Sequence, residues 1–272
     1  AGMTRSKDKA EGKKDPRESP LFINSTEKVF QVLHAFDGPE RLMPLSMIAE
    51  VSKLDRSATQ RVVHTLETLG YLRRVANSRN YALTSKLLQF ANNYLRVNEL
   101  VGKASPYLLE ISRTVGETAN LHELDGRDII YVGRFPGRHL INVDIMIGTR
   151  LPAVFTASGT AILSRSAPEL VDDVLGQRVE PLTPHSLTDP DRLRERIVRA
   201  GTDGYAIISN ETVTGDISVA AAITDEHDRA FAGISISVPE SRWTLARVEA
   251  ELVKHVQLAA VALSGSRFHS SR

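Results

Sequence analysis

Ser57, Gln60, Arg61 and His64 recur at steps of three and four within LDRSATQRVVHTLETLGYLRR, residues 54–74. On a helix that spacing gathers them on one face, with Thr59 at its edge. A stripe of hydrogen-bonding side chains with little acid suits a DNA major groove: it offers donors and acceptors to base edges and positive charge to phosphate. Ala58, Val62, Leu66 and Leu69, with Val63 alongside, hold another face and are expected to bury. Taken alone, the stripe is also compatible with a merely solvated polar face.

A second group of polar side chains lies far along the chain. Thr156, Ser158 and Thr160 surround Gly159 at a loop-to-helix junction, where backbone N–H groups at a helix start favour an anion such as a carboxylate. Ser235 and Ser237 share one face of a strand, and Ser218 lies on another. Inward hydroxyls need partners, which a bound polar ligand can supply. Solvent or neighbouring backbone would satisfy them equally well.

Other chemistry is not encoded. The chain has no cysteine, which excludes disulfides, thiolate catalysis and cysteine metal ligation and fits a cytoplasmic protein. There is no nucleophile elbow, zinc-protease motif, P-loop or dinucleotide fingerprint, and no metal-ligand spacing, so neither catalysis nor a cofactor is expected. His122-Glu123 sits on a predicted strand, where alternation sends the two side chains to opposite faces. His122 therefore reads as a surface histidine rather than half of a catalytic pair. His139 and Asp144 are too far apart on one strand to cooperate. No apolar run approaches the roughly 18 residues of a membrane span, and no signal peptide precedes the first helix. Ala1-Gly2 ahead of Met3 reads as a vector remnant.

The elements that must position these residues divide by charge. Residues 1–97 carry sixteen Lys and Arg against ten Asp and Glu, while residues 98–272 carry eighteen against twenty-three. The basic piece suits a polyanion partner. Residues 1–20 form a polar tail expected to be disordered, either solubilising the chain or brushing DNA phosphates. From 21 to 84 the spacing predicts a winged helix-turn-helix. One helix starts at an Asn24–Glu27 capping box, a second at Ser46 as N-cap, and the stripe helix at Asp55. Gly70 ends the third helix, and a basic hairpin follows with Arg73, Arg74 and Arg79. Ser46, Arg56, Ser57, Thr59, Gln60, Arg61, His64 and the three hairpin arginines form the candidate DNA-contacting set.

A helix over 85–101, with Leu87, Leu88, Ala91 and Leu95 as its apolar stripe, links the two pieces and can pair with a second copy. Residues 102–265 read as an α+β sensor-type domain, with strands near 118–124, 128–134, 139–147, 205–209, 217–224 and 230–238 and a closing helix over 244–264. Residues 266–272 form a short tail. A dry, filled core in this domain would favour a regulator acting through a protein partner, and an open polar cavity a small ligand.

The arrangement resembles the IclR family of bacterial transcriptional regulators. The resemblance rests on the stripe helix with YALTSKLL after it, on GTRLPAVFTASGTAILS at 148–164, and on GYAIISNETVTGDISVAAAITDEHDRAFAGISISVP at 204–239. It covers roughly residues 22–264. It implies a winged helix-turn-helix, a dimerising linker helix and a GAF-like effector domain, in a dimer or dimer of dimers on a palindromic operator. It further implies a small-molecule effector, an organic or aromatic acid, against the junction Ala157-Ser158, which the chemistry above extends to Thr156 and Gly159, with Val143 and Leu151 as apolar contacts and Asp216, Ser218, Ser235 and Ser237 as the other wall. One departure matters. Members that bind a very small keto acid carry an acidic residue where this chain has Ile208, while Asp216 replaces an apolar residue. The pocket polarity is rearranged.

Overall fold

The computed structural model describes residues 15–138 and 145–265, and the chain divides into two units, Ala1–Asn92 and Asn93–Arg272. Most of the N-terminal tail, the C-terminal tail, and Val143, His139 and Asp144 lie outside the described residues.

In the first unit, α1 (Asn24–His34), α2 (Leu45–Ser52) and α3 (Arg56–Thr68) pack with a three-stranded sheet. Its strands are β1 (Met43–Pro44), β2 (Leu72–Arg74) and β3 (Asn80–Leu83), in the order β1-β3-β2. Val32, Phe36, Met43, Ile48, Val63, Leu66, Leu72 and Tyr81 form the core. Each buried large aliphatic contributes about 1.5–3 kcal/mol relative to exposure. The start of α3 is as expected: Asp55 Oδ1 accepts the Ala58 N–H at 2.8 Å, which holds the Asp55 carboxyl below its ordinary range. The other two starts differ. No side chain caps α1, which begins after Ile23. In α2 the capping position is Pro44, leaving Ser46 exposed in the first turn; proline fixes the extended entry that a capping serine would otherwise secure. The buried side of α3 is rotated from the expected one, so Val63 is buried, Val62 only partly, and Leu69 is 52% exposed.

The linker expected over 85–101 ends earlier. α4 (Leu88–Val97) stops at Asn98, whose side chain accepts the Val101 N–H and starts α5 (Glu99–Val115). Gly102 lies inside α5, and Gly116 at φ +78° ends it. No residue of α4 is buried, and Leu88, Phe90 and Val97 are well exposed.

The second unit is built on a six-stranded antiparallel sheet ordered β6-β5-β4-β9-β8-β7. The strands are β4 (Thr118–Asp125), β5 (Asp128–Phe135), β6 (Arg150–Pro152), β7 (Ala206–Ser209), β8 (Asp216–Thr224) and β9 (Ala230–Pro239). One face is apolar: Leu121, Val219, Ile234 and Ile236 pack with α5, α9 (Leu245–Glu251) and α10 (Val253–Leu263). The closing helix thus breaks at Leu252. The opposite face meets α6 (Ala157–Leu163), with α7 (Pro168–Leu175) and α8 (Pro190–Asp203) beyond it. Gly159 lets α6 pack tightly on the turn Ala153–Phe155 that precedes it, since a Cβ there would sit 2.1 Å from the Ala153 carbonyl oxygen.

A register shift in the β4–β5 pair decides which side chains share the α6 face. His122 pairs with Tyr131, but Leu121 pairs with Gly133. Val132 is the extra residue of a bulge, and a bulge reverses the alternation beyond it. Tyr131 and Arg134 therefore face the same side.

Candidate nucleic-acid interface and ligand cavity

On α3, Arg56, Ser57, Gln60, Arg61 and His64 are exposed together, and the β2–β3 hairpin exposes Arg73, Arg74 and Arg79. Arg74 is partly committed, because its guanidinium donates to the Tyr81 hydroxyl and lies 5.2 Å from that ring's centroid. Thr59 does not join them. It is fully buried, and its hydroxyl donates to the Asp55 carbonyl at 2.9 Å. A β-branched residue one turn into the helix satisfies itself on the backbone, so its place at the stripe's edge turns inward.

In the second unit, the α6 face of the sheet borders a cavity of about 280 Å³. Its lining includes Thr156, Ala157, Ser158, Asp216, Ser218, Ser235 and Ser237, all chosen from the sequence. Two expected residues are elsewhere. The Gly159 N–H is taken by the Thr156 hydroxyl at 3.0 Å. Leu151, on β6, packs against the apolar cluster around Ile129 and Phe155. The junction thus has fewer N–H groups to offer an anion than the sequence suggests, and α6 has only seven residues.

The lining also holds residues the sequence reading missed: Glu117, His122, Tyr131 and Arg134. His122 is not at the surface. It is 1% exposed, its Nδ1 lies 2.8 Å from Ser158 Oγ, and its ring meets Tyr131 edge-on with centroids 4.3 Å apart. Burial pushes its pKa down to about 3, opposed by the nearby Gly233 backbone, which forms no well-aligned hydrogen bond with Nε2. The imidazole is neutral at ordinary pH. Glu117 is a wall post: Arg242 grips it with two nitrogens and Trp243 Nε1 donates to it at 2.8 Å.

Arg134 brings positive charge to the cavity and donates to Asn120 Oδ1 at 3.0 Å. Asp216 accepts from Ser218 at 2.7 Å. Burial raises its pKa to about 6, against the Ser218 bond and Arg134, which favour the anion. Burial, with Asp216 nearby, also holds the Tyr131 phenol up to about 12. Beforehand, this face was marked by the strand serines Ser218, Ser235 and Ser237, and by Asp216 through the family resemblance. Arg134 was hidden because its parity depends on the bulge.

Residues 92–265 match the family described as "Bacterial transcriptional regulator IclR C-terminal", and residues 25–76 match the "IclR helix-turn-helix domain". The chain belongs to the IclR family. The Pca regulon regulatory protein of Pseudomonas putida is 31% identical over 232 residues, covering 85% of this chain and 79% of its own length. An IclR-family regulator from Alicyclobacillus acidocaldarius has a fold matching at a TM-score of 0.77, with 23% identity over 89% of this chain and 98% of that one. An IclR homolog from Microbacterium hydrocarbonoxydans, solved in complex with 4-hydroxybenzoate, matches at a TM-score of 0.70 with 22% identity over 88% and 97%. This IclR-family chain is accordingly a DNA-binding transcriptional regulator with an N-terminal helix-turn-helix and a C-terminal effector-binding domain. Among the described residues no helix is long and apolar enough to cross a membrane.

Proposed function

We propose that this regulator is a non-enzymatic cytoplasmic switch whose operator affinity is set by a small carboxylate bound in the C-terminal cavity. The observation that carries the reading is the placement of Arg134, Ser158 and Asp216 around one cavity of about 280 Å³, near the lower end of the sizes usual for ligand pockets. Arg134 and the Ser158 hydroxyl receive the carboxylate. Ile129 and Ile145, which also line the cavity, pack against its carbon skeleton. Asp216 repels a second anion and accepts from a hydroxyl or amine on the ligand. The 4-hydroxybenzoate in the Microbacterium protein is a ligand of this kind.

Ser57, Gln60, Arg61 and His64 read base edges in the major groove, while Arg73, Arg74 and Arg79 grip phosphate. The exposed apolar residues of α4 are the seam of a homodimer, or of a dimer of dimers, which matches a palindromic operator. A ligand changes regulation only if it prefers one arrangement of the paired DNA-binding domains.

A thermal-shift screen of small organic and aromatic acids, with 4-hydroxybenzoate among them, tests the reading. At about 100 times its dissociation constant an effector stabilises the fold by roughly 2.7 kcal/mol. If no acid stabilises the protein, the carboxylate assignment fails. Light scattering that finds a monomer still binding its operator tightly removes the α4 seam.

A further inference from the structure

Arg134 and Asp216 stand on β5 and β8, with β4 and β9 between them. A continuous run of side chains joins them on the α6 face. Arg134 Nη1 donates to Asn120 Oδ1 at 3.0 Å. Asn120 Nδ2 lies 3.4 Å from both Ser235 Oγ and Ser237 Oγ. Ser237 Oγ and Ser218 Oγ are 3.0 Å apart, and Ser218 donates to Asp216 Oδ2 at 2.7 Å. The strand register produces this: Asn120 pairs directly with Ser235, and Ser218 with Ser237.

The direction of the run is fixed from both ends. Arginine only donates, so Asn120 must present its oxygen to Arg134 and its NH₂ to the serines. An ionised Asp216 only accepts, so Ser218 gives it its single proton, and Ser237 must then donate to Ser218. Every hydrogen bond points from the cation toward the carboxylate. Such chains polarise one another, and each link is strengthened by the one before it. Asn120 is fully buried and sits at the centre.

We propose that Asn120 is a positioning residue that makes Arg134 and Asp216 a single two-ended reader, selecting a carboxylate that also carries a hydrogen-bond donor. The selectivity rests on the effector reading above; the relay itself does not. Asn120 holds Arg134 toward the ligand's anionic end. Through Ser237 and Ser218 it keeps Asp216 an oriented acceptor, with Oδ1 free of side-chain donors among the described residues.

The test reads the titration of Asp216 by carboxyl carbon NMR on the full chain without ligand, in the native protein and in Asn120→Ser and Ser237→Ala. The neighbouring groups leave that signal clean. His122 and Tyr131 titrate near 3 and near 12, Arg134 stays charged, and Glu117, held by Arg242, gives a carboxyl resonance of its own. Breaking the run at either point should move the Asp216 midpoint upward by about half a pH unit, because the carboxylate loses part of its support. Ser237→Thr keeps the hydroxyl and should restore the native midpoint. Should Asn120→Ser fold poorly, Ser237→Ala tests the same run from its other side. An unchanged midpoint in the broken variants overturns the relay.

Calorimetry with 4-hydroxybenzoate and benzoate then tests selectivity. The native protein should prefer the hydroxylated acid by about tenfold, the size of one good hydrogen bond, and the broken variants should lose that preference while still binding both. A preference unchanged by breaking the run overturns the positioning role. A shifted midpoint with neither acid bound supports the relay, overturns its role in selection, and removes the carboxylate reading.

Discussion

The two polar sites of this regulator are built in opposite ways. On α3, Ser57, Gln60, Arg61 and His64 stand exposed on a single helix, and in the function proposed their partners arrive with the nucleic acid. In the cavity, Arg134, Asn120, Ser237, Ser218 and Asp216 come from four strands and are largely committed to one another. An open face recognises by offering many donors at once, and much of its affinity is salt-dependent phosphate contact. A committed network recognises by the few valences it leaves unfilled, because any polar group left unpaired in a dry site costs about 1–3 kcal/mol. The first site should therefore tolerate rearrangement of single contacts and fail with salt. The second should be indifferent to salt and fail with single atoms.

The largest expected effect lies on the open face. Gln60→Ala with Arg61→Ala should weaken operator binding by roughly thirtyfold or more, at about 1–3 kcal/mol for each base contact. Fluorescence anisotropy at several salt concentrations checks this, and unchanged affinity would remove α3 from the major groove. Next comes Arg134→Met, which should weaken 4-hydroxybenzoate binding by roughly ten- to a hundredfold, the range of one charged hydrogen bond. Operator affinity without ligand should stay as it was. Calorimetry in low and high salt sharpens the contrast: the loss should be nearly the same in both.

What the sequence disclosed follows the same division. The α3 face was legible because a helix's period is local, so residues three and four apart must be neighbours. The serines of β8 and β9 were legible by alternation for a similar reason. Arg134 was not, because an alternation count across Val132 gives the wrong face and the bulge is visible only once β4 is paired. His122 was misread as a surface residue because β4 has both faces covered, which strand pattern alone does not reveal. Thr59 and Ser46 failed for local reasons. A backbone carbonyl claimed the first, and Pro44 took over the capping position expected for the second.

A third effect follows from Asp216. In the folded protein its carboxyl titrates near 6, against 3.8 when unperturbed. Between those values the folded chain binds more protons than the unfolded one. The stabilisation this group gives is thus present below about pH 4 and is lost as pH rises through 6. Asp216→Asn, which cannot ionise, should flatten that part of the stability profile and raise stability at pH 7 by about 3 kcal/mol. Urea unfolding at pH 4, 5, 6 and 7 reads the slope; parallel profiles for the two proteins would show that Asp216 is solvated and not a committed member of the cavity.

The smallest effect marks the border of the open face. Thr59 is fully buried, and its hydroxyl already bonds the Asp55 carbonyl. Thr59→Ala should therefore cost about 2 kcal/mol of folding stability, the worth of one intramolecular hydrogen bond and a buried methyl group. Its neighbour Ser57 is exposed, so Ser57→Ala should leave folding within about 0.5 kcal/mol and weaken operator binding. The pair separates packing from recognition within two residues of one helix. Chemical unfolding and anisotropy on both variants give four numbers, and the expected pattern is crossed: stability falls in one and operator affinity in the other. If Thr59→Ala instead weakened operator binding with stability unchanged, the inward orientation of Thr59 would be wrong and the DNA-facing stripe would be wider than Ser57, Gln60, Arg61 and His64.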